Sequence, residues 1–231
     1  MSKKKKQVEQ QPEFEAYYYF PSAVYASKKP EFLKAVNEVS EEMLGKLTHD
    51  VHELYPMNNT DNFANDPRVQ DFVQYIGQNA WSILQSQGYA MDSFNVVVDA
   101  VWTQEHHKHS LMEQHVHGGG HQLVGFYFLE TPENCSRAMF HDPRGGKVQI
   151  NLPEANMSNA TPASNIINFL PEPGMMLISN AWLPHSFGRH GSDKPIKFVH
   201  FNLSVQYAPQ DRKSTRLNSS HPSLSRMPSS A

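Results

Sequence analysis

The chain has 231 residues, 20 Lys and Arg against 23 Asp and Glu, a formal charge of −3 and a single cysteine. That length suits one domain with a real core, and the mild acidity gives no electrostatic case for a nucleic-acid partner. A lone cysteine excludes an internal disulfide framework and fits a reducing, cytoplasmic compartment. No apolar run approaches the length of a membrane span.

Residues 1–15 are polar and expected to be disordered; Lys3 to Lys6 form a basic run without the apolar stretch of a signal peptide. Tyr17 to Tyr25 is aromatic, is interrupted by Pro21, and reads as an edge strand. Pro30 opens a helical pattern in which Phe32, Val36, Val39, Met43, Leu44 and Leu47 recur at helical spacing. Asp66 and Pro67 form an N-cap and first-turn pair. The second helix behind them carries Val69, Phe72, Ile76, Ala80, Ile83 and Leu84 and stops near Gly88.

After Gly88 the character changes. Residues 94–102 are β-branched, and short strands are expected at 113–117, 123–129, 137–141, 146–151, 174–179 and 197–205. Turn signals such as Gly118-Gly119-Gly120 and Pro171-Glu172-Pro173-Gly174 separate them. Two helices followed by roughly eight strands predict a mainly β fold, a jelly-roll or cupin-like barrel with helical buttressing. Cys135 falls in a predicted loop and reads as structural. From Asp211 the chain has no hydrophobic periodicity and reads like a translated sequencing adapter. We therefore take 16–210 as the domain and 211–231 as an artefact outside it. Without that tail, 16 basic and 22 acidic residues remain, a net −6.

His115 and His117 sit at i and i+2, so an extended backbone points both the same way. Neutral imidazole is the commonest protein metal ligand. His185, after the Pro173–Gly174 turn and a predicted strand, is the third candidate. In a double-stranded β-helix, an HxH at a strand end and a later histidine converge at the barrel mouth. The cluster His106-His107-Lys108-His109 is expected in an exposed turn, and His121, which follows the three glycines, is expected at the rim of the entrance.

The segments Phe20-Pro21-Ser22-Ala23-Val24-Tyr25, His115-Val116-His117, Gly125-Phe126-Tyr127-Phe128, Phe140-His141-Asp142-Pro143-Arg144, Pro173-Gly174, Trp182-Leu183-Pro184-His185-Ser186 and Phe201-Asn202 occur in one order. That series resembles a family of 2-oxoglutarate- and Fe(II)-dependent oxygenases found in marine bacteria and their phages, over roughly 17–205. The resemblance implies a double-stranded β-helix and two cofactors, Fe(II) and the cosubstrate 2-oxoglutarate. It implies a dioxygenase, a hydroxylase, that couples oxidative decarboxylation of 2-oxoglutarate to oxidation of a small-molecule or peptide substrate in the cytoplasm of a bacterial or phage-infected cell.

The superfamily usually presents His-x-Asp/Glu…His, whereas here His117 stands at the carboxylate position. Either His117 completes a three-histidine site or Asp142 supplies an acid. The superfamily's last strand usually carries a basic residue for the distal carboxylate of 2-oxoglutarate, and Lys197 is the nearest match. Alternation puts Lys197 on the opposite face from His200 and Asn202. Arg189 and Arg144 are the reserve cations. Tyr127 and Asn202 are further candidates for the cosubstrate, and His121 and Arg144 for the substrate. Two other readings stay open: a cupin-type metal enzyme that does not use 2-oxoglutarate, and a non-catalytic jelly-roll binding module. Cupins usually add a glutamate shortly after the HxH, and Gly118 to Gln122 contain none.

Overall fold

Apolar residues at helical spacing need a surface to cover, and the long strands after Gly88 provide it. The computed structural model describes residues 14–149 and 152–208. The expected disordered run 1–15, except for 14 and 15, and the tail 211–231 lie outside the described residues. In chain order come β1 (Val24–Lys28), α1 (Leu33–Leu44), β2 (Met57–Asn59), α2 (Gln70–Ser86), β3 (Phe94–His106), β4 (Met112–His115), β5 (Leu123–Glu130), β6 (Ala138–His141), β7 (Ile166–Phe169), β8 (Met175–Asn180), β9 (His185–Phe187) and β10 (Ile196–Tyr207).

Among the described residues, ten antiparallel strands form two sheets, ordered β1-β8-β5-β10-β3-β2 and β4-β9-β6-β7. This is the expected jelly-roll barrel. The helices cover the outer face of the six-stranded sheet, and the four-stranded sheet closes over its inner face. Alternation along β10 divides the two layers. Val199, Phe201 and Leu203 join Phe72, Ile76 and Val36 in the helix-facing core. Ile196 and Phe198 join Phe126, Phe140 and Phe187 between the sheets. Each such side chain removed from water contributes about 1.5–3 kcal/mol.

Both helices form where the apolar spacing places them. Asp66 accepts the Arg68 backbone N–H at 2.9 Å, and Gly88 ends the second helix with φ +92. Gly125 lets β10 pack tightly on β5, because a Cβ there would stand 2.3 Å from the Phe201 ring.

Three expectations need correction. The edge strand is Val24–Lys28, not Tyr17–Tyr25, and Tyr17 to Phe20 are exposed and irregular. Residues 146–149 belong to a 3-10 turn, Gly145–Gln149, rather than a strand; two adjacent glycines and the Lys147 N–H to Arg144 carbonyl bond favour the turn. His106 is not in an exposed turn. It is the last residue of β3 and is fully buried.

Candidate metal centre

β4 and β9 are short neighbours in the small sheet, and their pairing sets His115 opposite His185. His115 ends β4; two residues on, the His117 backbone N–H donates to the Ala181 carbonyl at 2.9 Å, holding the chain beside the end of β8. One ring nitrogen from each of His115, His117 and His185 lies within 4.8 Å of the others.

The tautomers follow from the partners. His115 Nδ1 is 2.8 Å from the Glu113 carbonyl, and His185 Nδ1 is 3.0 Å from the Leu183 carbonyl. A carbonyl only accepts, so both Nδ1 atoms carry the proton and both Nε2 lone pairs are free to ligate. Such outer partners orient metal-binding histidines. The Nε2 atoms of His117 and His185 are buried without a protein partner, which is costly unless something else satisfies them. Burial pushes the His185 imidazole down to about 4. His117 is likewise lowered to about 4, by burial first and then by His115 and His121. Imidazoles kept neutral are the protonation state a metal requires. This donor set fits a divalent iron.

Asp142 does not join the three histidines. Its carboxylate is held by Arg144 Nη2 at 2.7 Å and Lys147 Nζ at 3.3 Å, and the Arg144 guanidinium holds it well below the usual carboxylate range. Both residues line a separate hollow of about 330 Å³ that none of the three histidines lines. Arg144, a candidate substrate contact, lines that hollow beside Asp142.

The candidates for 2-oxoglutarate divide by strand face. Lys197 turns toward the helices, 2.6 Å from Glu41 and 3.3 Å from Glu130. Tyr127 also faces the helices and donates its hydroxyl to the Lys29 carbonyl at 2.6 Å. Arg189 lies at the surface against His109, with 3.0 Å between Nη2 and Nδ1. Strand alternation removes the first two from the barrel interior, and the third is occupied outside it. Only Asn202, of the four, stands on the interior face of β10, with its Oδ1 buried and without a partner.

His121 lines a cavity of about 420 Å³ together with the ligand candidate His117, Trp182, Tyr89 and Phe94. Asp99 lies 3.5 Å behind it. Sequence reasoning missed His200. That side chain is fully buried in β10, stacked on His117 at 5.0 Å between ring centroids and tilted against Trp102 at 4.3 Å. Its only sequence signal was the alternation that set it on the face opposite Lys197.

The family model described as "Putative 2OG-Fe(II) oxygenase" matches residues 100–202, the span that holds all three histidines. Over this span, which is under half of the chain, the sequence is similar to the 2OG-Fe(II) oxygenases. Solved structures of such oxygenases share its fold. The alpha ketoglutarate (2-oxoglutarate) dependent carbocyclase SnoK of nogalamycin biosynthesis matches with a TM-score of 0.59 and 12% identity, covering 83% of this chain and 84% of that one. A prolyl-4-hydroxylase from Pseudomonas putida matches at 0.55 and 7%, covering 79% and 93%. The epimerase SnoN, in complex with Fe3+, alpha ketoglutarate and nogalamycin RO, matches at 0.53 and 11%, covering 82% and 83%. No curated protein matches the chain. No helix among the described residues is long and apolar enough to cross a membrane.

Proposed function

We propose that this oxygenase binds Fe(II) through His115, His117 and His185 and oxidises a small-molecule or peptide substrate held in the cavity beside His117. The observation that carries the assignment is the convergence of three ring nitrogens within 4.8 Å, two of them buried without a protein partner. When bound, Fe(II) and 2-oxoglutarate would supply the oxidising chemistry with dioxygen as the oxidant, one oxygen atom ending in succinate as the cosubstrate loses carbon dioxide and the other going to oxidise the substrate.

The chain's own residues do three things. The Glu113 and Leu183 carbonyls lock two imidazoles in one tautomer and orientation. Three ligands on one side leave the remaining coordination positions open to cosubstrate and oxygen. The apolar wall of Trp182, Tyr89 and Phe94 excludes water from the substrate side, while His121, backed by Asp99, offers a hydrogen bond to a polar group of the substrate. A reducing cytoplasm suits both ferrous iron and the unpaired Cys135.

The test is anaerobic addition of Fe(II) and 2-oxoglutarate to the full chain. The reading expects a weak visible charge-transfer band and, on admitting oxygen, iron-dependent release of succinate. Full turnover with Zn(II) in place of iron would point to hydrolase or isomerase chemistry instead.

A further inference from the structure

The dianion proposed above as cosubstrate carries a second carboxylate that the metal does not hold. Among the described residues no lysine, arginine, aspartate or glutamate is buried. The interior is instead lined with uncharged polar side chains that lack partners. Of the twelve buried side-chain nitrogen and oxygen atoms without a hydrogen bond, seven belong to His117, His185, His200, Asn202, Gln104 and His106. His200 and Asn202 lie on the interior face of β10, and Gln104 and His106 on the matching face of β3, where Thr103, next to Gln104, turns outward to Ser40. Buried polar groups are nearly always paired in folded proteins, so orphans gathered on two neighbouring strands, with His200 stacked on His117, mark a polar ligand.

We propose that the distal carboxylate of 2-oxoglutarate is received by the buried imidazoles of His200 and His106, and that this chain uses no lysine or arginine for it. The inference rests on the 2-oxoglutarate reading above. His200 stacks directly on His117, and His106 sits deeper, edge-on to Phe198 at 5.0 Å and Phe187 at 5.7 Å. Each neutral imidazole offers one N–H to a carboxylate oxygen. The charge balance explains why no cation is needed. Three neutral imidazoles leave a ferrous ion its full double positive charge, and the 2-oxoglutarate dianion cancels it. With an aspartate as third ligand the loaded site would hold one negative charge in excess, and a buried cation would be needed to offset it. The third histidine and the uncharged interior are therefore one electrostatic solution seen in two places.

The experiment compares dissociation constants for 2-oxoglutarate and for 2-oxobutanoate, which lacks the distal carboxylate, on the Fe(II)-loaded full chain without oxygen. His200→Gln and His106→Leu should each weaken 2-oxoglutarate roughly ten- to hundredfold, the scale of a hydrogen bond to a charged group, and leave 2-oxobutanoate within about twofold. Lys197→Ala should leave both ligands unchanged. Should the buried variants fail to fold or load iron, Lys197→Ala still decides: retained affinity supports the proposal, and a tenfold loss overturns it. Equal weakening of the two ligands, or no weakening in either histidine variant, also overturns it. If neither 2-oxo acid binds the wild-type chain, the functional reading itself fails, which is a separate outcome.

Discussion

His115 and His185 face each other across the β4–β9 ladder, and each donates its Nδ1–H to the carbonyl two residues earlier in its own chain. The same local device on two neighbouring strands aims both Nε2 atoms at one point. His115→Ala and His185→Ala should each lower Fe(II) affinity by more than the roughly 10–100-fold that loss of an outer partner costs. Anaerobic metal titration measures this, and wild-type affinity in either variant would refute the assignment.

The third ligand is separable from its rival. His117→Ala should lose iron, while Asp142→Ala should keep it and instead free Arg144 and Lys147 from their shared anchor. His117→Asp should keep iron but raise the half-saturation concentration for 2-oxoglutarate, because the added negative charge repels the dianion. The opposite pattern, with iron lost only in Asp142→Ala, would establish a two-histidine, one-carboxylate site.

Acid should destabilise the metal-free protein. Burial holds His106 down to about 3 and His185 to about 4, whereas an unfolded imidazole takes its proton near pH 6.5. Between those limits the unfolded chain binds more protons, so stability rises with pH and is lost as pH falls from about 6.5 toward 4. The slope is about 1.4 kcal/mol per pH unit for each such histidine. Urea unfolding at pH 7.5, 6.0 and 5.0 reads it directly, and His106→Leu should flatten the slope. An unchanged slope in that variant would mean that His106 does not contribute.

Gly125→Ala tests the packing of β5 on β10. The added methyl would meet the Phe201 ring at 2.3 Å and the Leu177 carbonyl at 2.7 Å. Overpacking of this kind costs about 1–3 kcal/mol, which denaturant midpoints would show. A neutral result would mean that Phe201 has room to turn aside.

The helices, most strands and the three converging histidines were legible because each leaves a local signature: helical spacing, alternation, or an i, i+2 pair. β7 and β9, with four and three residues, were too short to leave one. Lys197 and Tyr127 have the right chemistry for an anion, but their faces are set by the register of β10 and β5 against the helices. His106 looked like part of an exposed histidine run because sequence proximity to His107 and His109 says nothing about which of them ends a strand. His200 carried no motif of its own. A single histidine in an apolar strand becomes informative only when the opposing strand is known.

β10 is a wall one residue thick. Phe201 packs against Phe72 of α2 at 6.2 Å, and its neighbours His200 and Asn202 face the metal side. Sliding the strand by one residue would drive imidazole and amide into the helix interface and phenyl rings into the barrel. Such a strand cannot ratchet, so we expect substrate exchange at the loop after His117, where Gly119 and Gly120 turn at φ +68 and +88. Substitutions under α2 should accordingly register at the iron as small shifts of a stiff partition, whereas changes in the glycine loop should alter the rates of entry and exit.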